Sequence, residues 1–240
     1  MISPSESIAE AEYIAPYPYS SNIDVVGQEY QPRLSVMSSM AIDAAVEAWK
    51  INPESKIVIA GETLYGSSLP NTTDLMVERA KQTSDIDDGS LVPLHRLPGG
   101  TLLNNTYLQT AALKNYFGDK KGGLISSPLN YHLQRVMHTA RAYGLESGFT
   151  TAEQILDTAG INDYSQYEAA IAGLESSERT IRLINRIDQK GRLFNLMSSR
   201  LGGRLVDVIE VNGRPELLQT TARKKVDELA ATYGLEPIRF

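Results

Sequence analysis

The chain has 240 residues, of which 42% are hydrophobic, 22% charged and 7% aromatic, and it contains no cysteine. This composition excludes a disordered chain, a collagen-like repeat and a small disulfide-stapled scaffold. It also excludes a thiolate zinc site and a cysteine nucleophile. The formal charge of −6 argues against a nucleic-acid footprint spread along the chain, so no nucleic-acid partner is expected.

Residues 1–21 are rich in Ser, Pro, Tyr and Glu and show neither helical nor strand period. They read as a flexible N-terminal arm, with Pro16-Tyr17-Pro18-Tyr19 lying across a groove as the alternative. Acidic side chains stand where a signal peptide needs a basic end, and no apolar run approaches the length of a membrane span. A cytoplasmic protein without a membrane span is expected.

From residue 22 short apolar runs alternate with amphipathic segments. Ile23–Val26 is β-branched and closed by Gly27, the pattern of a buried strand. Residues 33–50 carry Leu34, Met37, Ala41, Ala44, Ala45 and Ala48 at helical spacing. Lys56–Ala60 is a second strand, closed by Gly61. Asn71 and Asp74 form a capping-box pattern that opens a helix running to about Gln82. Leu91–His95 reads as a strand whose Pro93 points to a sheet edge or a bulge. A helix over 104–117, a strand over Gly123–Ser126 and a helix from about Asn130 to Tyr143 follow, with Gly144 as its C-cap.

Strand and helix alternating at this rhythm predict an α/β fold over residues 22–150. It would be a Rossmann-like three-layer sandwich with a mostly parallel sheet and right-handed crossovers. Residues 151–240 read as a mainly helical C-terminal extension, with helical patterns over 151–187 and 188–203. Leu205–Val211 alternates, and Asn212-Gly213 signals a β-hairpin turn before Arg214–Leu218. A last helix runs from near Thr221 to Gly234. Charge divides between the regions: residues 1–177 hold 11 basic and 21 acidic side chains, residues 178–240 hold 12 and 8. The basic tail is therefore expected to pack on the acidic part or to present a solvated basic face, and the extension could also join copies into a homo-oligomer.

No P-loop, no Gly-x-Ser-x-Gly elbow and no Gly-x-Gly-x-x-Gly turn is present. His132 and His138 lie six residues apart on one helix, about 120° apart around its axis, so they do not chelate one ion together. No metal site is expected. In an open parallel sheet, ligands bind beyond the carboxyl ends of the strands, where helix N-termini gather free N–H groups. Those ends give Gly27 and Gln28, Gly61 and Glu62, the run His95–Gly100, and Ser126, Ser127 and Asn130. Arg135 lies three residues beyond His132 on the same helical face. An imidazole and a guanidinium in one first turn suit a phosphate or a carboxylate. The alternative is structural, with His132 capping or hydrogen-bonded inside the protein and Arg135 bridging Glu62 or another acid.

Several of these residues resemble the SanA/YdcF/ElyC-like family, a set of α/β domains of poorly defined function. Ile23–Gly27 resembles the family's first strand and glycine, and Ala60-Gly61-Glu62 its Ser-Gly-Gly-like turn. Asn105-Thr106-Tyr107-Leu108-Gln109 is similar to its Asn-Thr-x-Glu-Asn signature. Ser126-Ser127 and His132-Leu133-Gln134-Arg135 are similar to its Thr-Ser-type turn and His-x-x-Arg helix. Leu108 stands where that signature has its acidic residue. The resemblance covers about residues 22–145 and implies a Rossmann-like crevice for a nucleotide-like or phosphate-bearing small molecule.

Three functions follow as expectations. In a transferase or hydrolase, Arg135 and the amides after Ser126 bind the anion, Asn105 and Thr106 orient it, and His132 serves as acid or base. In a non-catalytic module, the crevice senses S-adenosylmethionine or a nucleotide. In an interaction protein, the basic tail docks a partner or a second copy.

Overall fold

The computed structural model describes residues 4–18, 21–62, 65, 68–103, 106–120, 122–127, 133, 136, 137, 139–141, 143–163, 165, 167, 215–236 and 238. It opens with helix α1 (Pro4–Ala9) and strand β1 (Tyr13–Pro16), followed by β2 (Ser21–Val26) and β3 (Glu29–Leu34). Helix α2 (Val36–Ile51), strand β4 (Lys56–Ala60), helix α3 (Thr72–Thr83) and strand β5 (Leu91–Leu94) come next. Then come α4 (Thr106–Phe117), β6 (Gly123–Ser127), β7 (Ser147–Thr151), α5 (Ala152–Thr158) and α6 (Pro215–Tyr233).

Five strands form one all-parallel sheet in the order β5-β4-β1-β6-β7. The α/β class is as the alternation predicts. Both faces of the sheet are apolar because the strands carry near-continuous hydrophobic runs. Ile14, Ile57, Ile59 and Leu124 pack under α2, α3 and α5. Ala15, Val58, Ala60 and Ile125 pack under α4 and the helical residues near 136–140. Edge strand β5 holds Pro93, where a missing N–H is tolerated.

The central strand is the principal correction. Tyr13–Pro16, expected in a flexible arm, is buried at every position between β4 and β6. Tyr17 N donates to Ser126 O at 2.8 Å, so the preceding N–H would face β4. Pro16 has none, and pairing with β4 accordingly stops at Ile14 while pairing with β6 runs on to Pro16.

The strand at Ile23–Val26 exists but does not join the parallel sheet. It pairs antiparallel with β3 in a two-stranded hairpin. Gly27, at φ 65°, is the first of two loop residues, the position where a type II′ turn needs glycine. The hairpin expected near the C-terminus is likewise corrected: residues 215–218 open α6 instead, and 204–213 lie outside the described residues. The fifth sheet strand, β7, was not expected, and it crosses the boundary drawn at residue 150.

Local chemistry sets the helix ends. Ser35 caps α2, and its Oγ accepts from Ser38 N at 3.1 Å. At the other end Asn52 Nδ2 donates to Ala11 O at 2.9 Å, tying α2 to the entry of β1. The Asn71–Asp74 capping box forms as read. Arg79 holds Asp43 in a bidentate pair at 2.7 and 2.6 Å, and Tyr167 donates to the same carboxylate at 2.6 Å. That trio joins α2, α3 and the chain beyond α5. Burial and the Asp43 bond push the Tyr167 hydroxyl well above the usual tyrosine range.

Candidate functional site

Every sheet strand points its carboxyl end to the same rim, and the order of connections reverses between β1 and β6. From β1 the chain steps outward through β4 to β5, then returns past β1 to β6 and β7. In such sheets the point of reversal, here the ends of β1 and β6, is the usual ligand position. Buried polar side chains gather on this rim. Among the described residues, all but Ser55 and Thr139 lie at strand carboxyl ends, on the short connections there, or near the starts of the helices that follow. The middle of the sheet is aliphatic.

Tyr17 extends β1 and is 1% exposed. Its hydroxyl lies 2.6 Å from Thr110 Oγ1, which in turn donates to Thr106 O at 2.7 Å. Thr110 has a single hydroxyl hydrogen, so Tyr17 is the donor. Burial pushes the Tyr17 hydroxyl well above its usual range, so it stays a neutral donor. Ser126 and Ser127 close β6 and are both fully buried. Alternation places Ser126 with Leu124 on the α2 face, and Ser127 with Ile125 on the α4 face. Ser126 Oγ and Gln109 Nε2 are buried without a hydrogen-bond partner. Each such group costs about 1–3 kcal/mol if left unsatisfied.

The expected site residues divide into three groups. Thr106, Ser126 and Ser127 lie on this rim and are buried. Gly61 and Glu62 also lie there, at the end of β4, but Gly61 serves packing. A Cβ on Gly61 would stand 2.5 Å from Thr73 N, and Gly61 N donates to Thr73 Oγ1 at 2.8 Å. Its lack of a side chain admits the first turn of α3 and opens no space for a ligand. The carbonyl of Glu62 accepts from Thr72 N at 3.0 Å. Gly27 and Gln28 form the hairpin tip and follow no strand of the parallel sheet. Asn105, Asn130, His132 and Arg135 lie outside the described residues.

His95, at the end of β5, is tied to the start of α3. Asn71 Nδ2 lies 3.2 Å from His95 Nδ1, and His95 Nε2 lies 3.7 Å from Asp74 Oδ1. Sequence reasoning missed Tyr17, Gln109 and Thr110 as rim residues. The signals were the Pro-Tyr-Pro-Tyr run for Tyr17, the place of Gln109 at the end of the Asn105–Gln109 signature, and for Thr110 a polar residue inside an apolar helix stripe.

Among the described residues, two open cavities lie elsewhere. One, of about 410 Å³, is at the opposite, amino edge of the sheet beside Glu10, Glu12, Asn52 and Glu54. The other, of about 720 Å³, lies between the hairpin tip and the end of α6. No described helix is long and apolar enough to cross a membrane. No protein-family model, curated protein or solved structure matches the chain.

Proposed function

We propose that the protein binds a nucleotide-like or phosphate-bearing small molecule at the carboxyl rim, where the strand order reverses between β1 and β6. The observation that carries this reading is the gathering of buried hydroxyl and amide side chains at that reversal, two of them without partners. A bound molecule with hydrogen-bonding groups along its length offsets the cost of such groups. In this reading Thr106 and Asn105 orient the ligand, the amides after Ser126 and the Arg135 guanidinium receive its anionic end, and His132 moves a proton. The order of Asn105-Thr106, Ser126-Ser127 and His132-x-x-Arg135 along the chain supports the SanA/YdcF/ElyC-like reading of the same crevice. The Ile23–Gly27 part of that resemblance lends no support, because that segment is a hairpin arm.

A second reading keeps the site and removes the chemistry. Leu108 stands where the family's acidic residue belongs, and it is buried in the core at 3% exposure. A site lacking that acid suits a binding module for S-adenosylmethionine or a nucleotide.

Native mass spectrometry of freshly purified protein, with a thermal-shift screen of nucleotides, sugar phosphates and S-adenosylmethionine, tests both readings. A ligand at one hundred times its Kd adds about 2.7 kcal/mol of stability, and Arg135→Ala removes most of that gain. If no anionic or nucleotide-like compound stabilises the chain, the rim is not this kind of site. A stabilising compound recovered unchanged indicates the binding module. Turnover that disappears in His132→Ala while binding persists indicates the enzyme.

A further inference from the structure

The groove between the hairpin tip and the end of α6 is separate from the rim site and has its own chemistry. Its floor is apolar: Tyr30, Leu69 and Ile238 pack around buried Ile23, Tyr65 and Val226, and Leu235 adjoins them. Its sides carry Glu29 and Glu236. Tyr30 crosses between the two walls, its hydroxyl donating to Glu236 O at 3.0 Å.

Three sources of negative potential meet there. Glu29 and Glu236 are exposed and have no ion-pair partner among the described residues, whereas Arg33 is held by Asp24 and Lys224 by Glu228. Helix α6 ends at Tyr233, and its last turn is closed by Gly234 at φ 66° with Leu235 N bonded to Ala230 O. The negative end of the helix dipole therefore opens beside Leu235 and Glu236. Burial and then the charge of Asp227 hold the Tyr30 hydroxyl above its usual range.

We propose that this groove docks an extended basic segment of a partner protein, one that presents lysine or arginine beside an aliphatic residue. The cation meets Glu29, Glu236 and the helix end, with the Tyr30 ring as a further attraction. The aliphatic neighbour covers Leu69 and Ile238. An apolar floor between carboxylate walls selects both features together, and like charge repels acidic segments.

The test is fluorescence anisotropy on the full chain with a labelled, capped Leu-Lys-Leu-Lys-Leu-Lys peptide, beside its Leu-Glu counterpart. The lysine peptide is expected to bind saturably, and more weakly as salt rises. Affinity is expected to fall about tenfold in Glu29→Lys/Glu236→Lys, since both carboxylates that meet the cations are reversed in charge. Both side chains are exposed, so melting temperature should hold. Glu10→Lys/Glu54→Lys, with the same charge change at the opposite sheet edge, should bind like the parent. The proposal is overturned by absent saturation, by equal binding of the glutamate peptide, or by equal losses in the two double variants. Displacement of the peptide by lysine amide at matching concentration would also overturn it, assigning the groove to small organic cations.

Discussion

Through one hydroxyl, Tyr17 joins the end of the central strand to α4, and the bond holds only while the phenol keeps its proton. Burial raises its pKa in the folded state above the value near 10 of an exposed tyrosine. The stability this provides is complete below about pH 10 and is lost as pH rises toward the folded value, because the unfolded chain releases the proton first. At pH 8, Tyr17→Phe should be less stable than the parent by about 1 kcal/mol, the worth of its bond to Thr110. Denaturant unfolding between pH 9 and pH 11 should bring the two curves together, since only the parent has this proton to lose. Curves that stay parallel would show that the hydroxyl does not titrate with unfolding. Residues at the rim differ in how far the sequence declares them. Ser126 and Ser127 were legible because they end an apolar run. Gly61 was legible as a glycine that something must approach, but the approaching group is the backbone of α3, which no local pattern reveals. Tyr17 was not legible, because a tyrosine between two prolines looks the same in a loop as in a strand.

At the scale of elements, what the sequence declares depends on how much of each element's burial is written in its own residues. β4 is a run of Ile, Val and Ile, and α3 carries its capping box, so both stand where the pattern puts them. β5 carries its edge position in Pro93. β1 has only Ile14 and Ala15 between Tyr13 and Pro16, and its burial comes from both neighbouring strands and both helical layers. β7 is Ser-Gly-Phe-Thr-Thr, polar in sequence yet paired along its whole length with β6. The hairpin at Gly27 was missed because a β-branched run followed by glycine fits a sheet strand and a tight turn equally well. The placement of β1 has a direct consequence. A chain lacking residues 1–16 loses the strand on which β4 and β6 meet, leaving two half-sheets with unpaired edges. Such a truncation should be insoluble, or lack a cooperative thermal transition. A truncated chain that melted like the parent would return this segment to the status of a loose arm.

In the molecule as a whole, a doubly covered five-stranded sheet carries a smaller layer made from the β2–β3 hairpin and α6, with its own apolar cluster around Ile23, Tyr65 and Val226. The hairpin also meets the main layer through β3, which lies against α2 and α3 and packs Leu34 on the larger core. Tyr65 donates to Ser21 O at 2.9 Å and Thr72 to Ser21 Oγ at 3.2 Å, both where the hairpin springs from the rim. Its strands expose alternate residues along β3 and leave Val26 58% exposed at the tip. A two-stranded hairpin covered on one side is marginal by itself, whereas the middle strands of a parallel sheet open only when the whole sheet does. Hydrogen exchange should therefore separate them. Amides of β1, β4 and β6 should exchange only through global unfolding, and those of β2 and β3 through a smaller opening shared with α6. Val226 is fully buried in the small cluster, so Val226→Ala should cost that layer about 2 kcal/mol. Exchange in β2 and β3 should quicken in this variant, while rates in the three sheet strands stay at the parent's values. If all five strands quicken together, the hairpin and helix belong to the same cooperative unit as the sheet, and binding in the groove would couple directly to the rim.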